Sequence, residues 1–140
     1  MPVSTFTKTT LYSNGTVNLC KNNPHTLFVF GDNLRREGCG GQAVIRYCVN
    51  SYGIPTKRLP SMKEDAFFKD AVSDLQAVER SIETLWTIAR CGIFEYISFP
   101  QAGLGTGLAR LPVRSPLIFK YLNTKLYQYF KIYEMFVTKD

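Results

Sequence analysis

The residues best suited to chemistry in this chain fall in two glycine clusters. The first runs Phe30-Gly31-Asp32-Asn33-Leu34-Arg35-Arg36-Glu37-Gly38-Cys39-Gly40-Gly41-Gln42, the second Phe99-Pro100-Gln101-Ala102-Gly103-Leu104-Gly105-Thr106-Gly107-Leu108. Glycine lets backbone come close to a ligand, and N–H groups left free at a strand-to-helix turn attract phosphate. Gly103, Gly105 and Gly107 can build a nest of backbone donors, to which Thr106 adds a hydroxyl. Neither cluster is a P-loop, since no Gly-Lys-Ser/Thr closes either run. Gly38, Gly40 and Gly41 do not follow the G-x-G-x-x-G dinucleotide pattern either. At one edge of a single sheet, the two clusters would clasp a pyrophosphate from both sides. The plainer alternative for either cluster is that its glycines only make tight turns.

Such clusters need strands before them and helices after them. Residues 13–26 are rich in turn formers and predict a loop. Residues 27–30 read as a short buried strand. Ala43, Val44, Tyr47 and Cys48 recur at helical spacing, which predicts a helix from Gly41 to about Ser51, stopped before Gly53. Residues 54–57 read as a strand whose Pro55 suggests a sheet edge or a strand end. Val72, Leu75, Val78, Ile82, Leu85, Trp86 and Ala89 form the apolar stripe of a long helix, with Asp74, Gln76, Glu79, Arg80 and Glu83 largely off it. Arg90 and Gly92 end that helix. Residues 94–99 form a strand halted by Pro100, and residues 101–112 a glycine-rich loop. Ser115 and Pro116 open a further helix as N-cap and first helical residue. Residues 132–137 read as a final strand and residues 5–12 as an additional first one. Strands alternating with helices predict a three-layer α/β/α domain around a mixed, mostly parallel sheet.

Composition agrees with this frame. The 140 residues (15.9 kDa) suit one domain, and 45% hydrophobic with 20% charged residues exclude a disordered or collagenous chain. No apolar run approaches the roughly 18–20 residues that span a bilayer, so no membrane partner is expected. The opening Met-Pro-Val-Ser-Thr-Phe has no basic segment followed by an apolar one, so no secretory signal is expected. Lys and Arg number 17 against 11 Asp and Glu, a formal +6 that favours phosphate-bearing small molecules or nucleic acid. Cys20, Cys39, Cys48 and Cys91 form no C-x-x-C pair, and His25 is the single histidine. That pattern predicts reduced thiols in a cytoplasmic protein, no metal site and no cofactor.

The two loops resemble the ligand loops of macrodomains, the ADP-ribose-binding α/β fold. Asn33 followed by Gly38, Gly40 and Gly41 is similar to the asparagine, spacer and glycine run of that family. Pro100 leading to Gly105-Thr106-Gly107 is similar to its diphosphate-wrapping loop. The order of elements over residues 27–137 is similar too. Within the family, Thr56-Lys57 at a strand end and Gly105-Thr106-Gly107-Leu108-Ala109-Arg110-Leu111 resemble the glycohydrolases that remove terminal ADP-ribose from acidic side chains. The resemblance implies a single macrodomain-like domain over residues 1–140, binding ADP-ribose, a related nucleotide-sugar diphosphate or an ADP-ribosylated macromolecule, and hydrolysis of an ADP-ribosyl linkage. Phe-Gly-Asp-Asn-Leu and Gly-Ile-Pro-Thr-Lys also resemble segments of phage and bacterial proteins, which for a phage member implies the host cytoplasm. Two positions depart from the pattern. The subgroup's catalytic aspartate falls on Ala109, and no aspartate near residues 12–16 matches the one that reads adenine.

Roles follow residue by residue, each with a plainer alternative. Lys57 is the candidate nucleophile toward an opened ribose, or else a phosphate contact or surface lysine. Asp32 is the candidate general base or ribose ligand, or else a turn-stabilising carboxylate. Asn33 is a candidate ribose contact, or a turn asparagine. Gly38, Gly40, Gly41, Gln42, Gly105, Thr106, Gly107 and Leu108 complete the candidate ligand site, and Gln101 either contacts ligand or begins the loop. Arg35, Arg36, Arg46, Arg58 and Lys63 could steer an anion, or form a solvated basic face. Cys39 is not favoured as a nucleophile. Three functions remain: an ADP-ribose binder with hydrolytic activity; a non-catalytic binder that sequesters a nucleotide signal, as a phage or bacterial defence factor would; and, least favoured, a basic nucleic-acid-binding protein.

Overall fold

A computed structural model of the chain describes residues 7–131. Strand β1 is Lys8–Tyr12, β2 is Thr26–Asn33, β3 is Ser51–Lys57 and β4 is Tyr96–Pro100. Helix α1 is Val17–Asn22, α2 is Val72–Cys91, α3 is Leu111–Arg114 and α4 is Pro116–Phe130, with a 3-10 helix at Gly41–Ile45 and another at Glu64–Ala66. The strands form one sheet in the order β1-β4-β2-β3, every pair parallel. The sheet is thus parallel throughout the described residues, and β3, with Pro55, is an edge as its proline suggested. The final strand expected over residues 132–137 lies outside the described residues.

Alternation along the strands sorts side chains into two layers, as the two-residue period of a strand requires. Leu27, Val29, Ile54, Ile97 and Phe99 face α2 and α4, packing against Val78, Ile82, Leu85, Ile118, Leu122 and Leu126. Tyr12, Phe28 and Phe30 point the other way, onto Cys20 of α1 and Ala43 and Ile45 of the first 3-10 helix. No helix among the described residues is long and apolar enough to cross a membrane.

Several elements differ from the sequence expectation. The predicted loop over residues 13–26 contains α1, nucleated by Thr16, whose Oγ1 accepts from Leu19 N at 3.0 Å. The helix predicted from Gly41 to Ser51 is a single 3-10 turn followed by irregular chain. Buried Asn50 stops it: its Nδ2 donates to the carbonyls of Cys20, Asn23 and Thr26 and its own carbonyl accepts from Phe28 N. Gly53, read as a helix stop, lies inside β3 opposite Phe30, where an added Cβ would come within 2.8 Å of the Asp32 Cβ. The glycine there makes room for a buried carboxylate. Asp74, expected off the apolar stripe, is buried and bound bidentately by Arg58 at 3.0 and 2.8 Å. Ser115 precedes α4 as expected, but its side chain does not cap the helix. Asp70 reaches across instead, accepting from Ile118 N at 2.9 Å, while Ser115 Oγ accepts from Asp70 N at 3.0 Å.

Candidate functional site

The parallel arrangement brings the C-terminal ends of β2, β3 and β4 to one edge, where open α/β sheets tend to bind ligands. Two facts of register open a crevice there. The β2–β4 ladder stops at Phe28–Ser98, whereas β2–β3 pairing continues to Asn33–Lys57. Beyond Phe28, β2 therefore loses its neighbour on the β4 side. The gap holds a cavity of about 430 Å³ between the two glycine loops.

Of the predicted site residues, Asp32, Asn33, Gly38, Gly40, Gly41, Gln42, Lys57, Gly105, Gly107 and Leu108 line this cavity. The loops converge closely: a Cβ added to Gly31 would lie 3.8 Å from Gly105 N. No hydrogen bond among the described residues uses the N–H of Gly38, Gly40, Gly41, Gly105, Gly107 or Leu108, so both walls carry backbone donors without a partner. Gly105 cannot be replaced freely, because its φ is +78° and an added Cβ would meet Leu111 Cβ at 2.8 Å. Gln101 and Thr106 lie outside the cavity lining. Gln101 N donates to Tyr12 O at 2.8 Å, and Thr106 Oγ1 donates to Ala102 O at 2.6 Å, closing its own turn.

Several side chains expected to meet a ligand are occupied by the protein. Asp32 Oδ1 accepts from Asn33 N (2.7 Å) and Arg46 Nη2 (2.6 Å); Oδ2 accepts from Arg36 Nη1 (2.9 Å) and Arg46 Nη1 (3.0 Å). Four accepted bonds fill the roughly four acceptor positions of a carboxylate, so Asp32 has no lone pair left for a substrate proton. Asn33 Oδ1 accepts from Arg35 N and its Nδ2 donates to Glu37 O at 2.9 Å, the pattern of a turn asparagine. Gln42 Oε1 accepts from Gly31 N and its Nε2 donates to Gly103 O, both at 2.9 Å, so one carboxamide spans the floor of the crevice.

Lys57 is the cation of the cavity lining. Its Nζ donates to Ser61 O at 2.5 Å and sits 5.1 Å from the centre of the Phe67 ring, and burial lowers its pKa below that of an ordinary lysine. Ala109, at the position where the resemblance would put a carboxylate, also lines the cavity.

Arg46 is the residue whose role the sequence left open. Its side chain is 7% exposed, so it is no part of a solvated basic face. Besides Asp32, it donates Nε to Gly38 O at 2.7 Å and Nη2 to Glu37 O at 3.0 Å, fixing the first loop's backbone. The hydrogen bond to Asp32 raises its pKa, outweighing the lowering by burial. The signal for this role was its place four residues after Gln42, with Gly53 facing Asp32; neither reads as a pair without the fold. Arg58 and Arg36 are likewise committed, to Asp74 and Asp32. Gly31, Glu37, Ala43, Thr56, Pro60, Ser61 and Met62 complete the lining and were not among the candidate site residues read from sequence.

Among the described residues, no group of three or more His, Cys, Asp or Glu side chains could hold a metal ion, and the four cysteines are free. No curated protein and no solved structure matches the chain. Residues 11–125 match a family described as a family of unknown function, DUF7831. That span covers both glycine loops and all four strands except the start of β1, and the chain belongs to this family.

Proposed function

We propose that the crevice binds a nucleoside-diphosphate sugar of the ADP-ribose type, with the diphosphate between the two glycine loops and Lys57 beside it. The observation that carries this reading is the convergence, on one cavity, of two loops in which the N–H groups of Gly38, Gly40, Gly41, Gly105 and Gly107 have no protein acceptor. Backbone donors held in place in a concave site favour phosphate oxygens. A volume of about 430 Å³ falls in the range of small-molecule sites. Isothermal titration with ADP-ribose tests it. Saturable binding is expected, and no saturation at millimolar ligand with a folded sample overturns it.

Within this reading, binding without turnover is better supported than hydrolysis. Asp32 is saturated by two arginines and a backbone N–H, and Ala109 offers no proton acceptor. Lys57 remains the group to test for chemistry, since burial leaves more of it neutral than an exposed lysine at the same pH. A sequestering protein returns its ligand intact after denaturation. Release of ADP-ribose from a protein modified on glutamate, abolished by Lys57→Ala, would instead establish a glycohydrolase. The nucleic-acid reading is weakened because Arg36, Arg46 and Arg58 are held by Asp32 and Asp74. It predicts affinity that falls steeply with salt.

A further inference from the structure

We infer that Gln42 is a positioning residue that sets the spacing of the two loops, and so the width of the anion site, without itself being a ligand contact. The inference rests on the proposed binding reading for its functional consequence, though not for its geometry. Gln42 is the second residue of the 3-10 helix Gly41–Ile45. Its carboxamide accepts from Gly31 N and donates to Gly103 O, both at 2.9 Å. Those two partners belong to β2 and to the loop after β4, where the β2–β4 ladder has already ended. The side chain therefore replaces the missing rungs of the ladder at the point where the crevice opens. Both ends of the amide are used, so it has little left to offer a ligand. The same short segment leads into Arg46, which fixes the first loop through Gly38 O and Glu37 O. Gln42 is thus the side chain that refers the second loop to the first.

At neutral pH the amide satisfies both partners, because Gly31 N needs an acceptor and Gly103 O needs a donor. An ionised glutamate keeps the first bond and sets a carboxylate oxygen against the Gly103 carbonyl. Protonated, it regains a donor. Gln42→Glu should therefore convert a fixed spacer into a pH-dependent one. The other titratable groups bordering the cavity, Asp32, Glu37 and Lys57 with Arg36 and Arg46 behind them, are present in both proteins. The wild-type profile accounts for them.

The experiment is amide hydrogen exchange on wild type and Gln42→Glu, each compared at pH 7.5 and pH 4.5, alongside titration with ADP-ribose and with inorganic pyrophosphate. At pH 7.5 the variant should exchange about tenfold faster over residues 101–108 and bind about tenfold more weakly, the scale of one lost hydrogen bond. At pH 4.5 it should return to within about twofold of wild type. Gln42→Met, which keeps length but neither polar bond, should be fast and weak at both pH values. Equal exchange and affinity for wild type and Gln42→Glu at both pH values overturn the inference. So does a pH-independent defect in Gln42→Glu, or a wild-type profile in Gln42→Met. If wild type binds neither probe, the exchange data still decide the spacer role, and it is the binding proposal that fails.

Discussion

The two loops that face each other across the crevice are held by different physics. The first is pinned by charge. A buried carboxylate, Asp32, is clamped between Arg46 and Arg36, and the same Arg46 grips two carbonyls of the loop. Both loops have glycines at positive φ, but the second is pinned by neutral contacts: the close packing of Gly105 on Leu111, the Leu111 N to Gly105 O bond at 2.8 Å and the Gln42 amide. A buried ion pair resists partial loss, because removing one partner strands the other in a low-dielectric setting. A glycine turn fails only where a side chain is forced into it. The lesson is that two loops of similar composition need not be equally tolerant, and that tolerance tracks what each is fastened to.

Breaking the charged pin should give the largest effect. Arg46→Ala leaves Asp32 with only the half-exposed Arg36 and should cost about 3–5 kcal/mol in denaturant unfolding. Asp32→Asn should cost a comparable amount, because it strands the buried Arg46 guanidinium and turns an amide N–H toward two arginines; near-wild-type stability in either variant would show that the clamp is not what holds this loop. Gly105→Ala comes next. It places a Cβ at φ +78° against Leu111 and Thr56 and should cost about 2–3 kcal/mol, with loss of ligand binding. If it melts with wild type, the second loop is softer than its contacts indicate.

Lys57 separates binding from stability. Lys57→Met should leave the unfolding free energy nearly unchanged while weakening ADP-ribose binding about tenfold, the order expected for one charge-assisted contact. Because burial lowers its pKa in the folded state, the unfolded chain holds more protons between that value and the ordinary lysine value. Stability contributed at this site should therefore rise with pH through that window, while anion affinity falls. Both slopes should flatten in Lys57→Met. The smallest effect belongs to Thr106→Ala, since that hydroxyl closes an exposed turn outside the cavity lining; a change of about 0.5 kcal/mol or less is expected, with unaltered affinity. A large affinity loss would put Thr106 back among the ligand contacts.

Much of the frame is legible in residue order. The long helix α2, the strand ahead of each glycine cluster, the edge position of Pro55 and the opening of α4 after Ser115 all follow from periodicity and punctuation. Short elements were not legible. A six-residue helix such as α1 carries too few positions to show a period, and Ala43, Val44, Tyr47 and Cys48 imitate a helical repeat over a stretch that Asn50 closes with three carbonyl contacts. At the site, the lining glycines were found because their type restricts where they can serve. The bonds that Gln42 and Arg46 make were not legible, because an amide and a guanidinium can bind either a ligand or the protein.

The sequence by itself determined which segments could approach an anion and on which strands they would ride, since glycine placement and two-residue alternation are local properties. Only the tertiary structure decided that β2 outruns β4, that the resulting gap is bridged by one glutamine, and that Asp32 is bound by two arginines. Those outcomes depend on register and on partners far apart in the chain, and a side chain's remaining capacity for a ligand is known only after the protein's own hydrogen bonds have been satisfied.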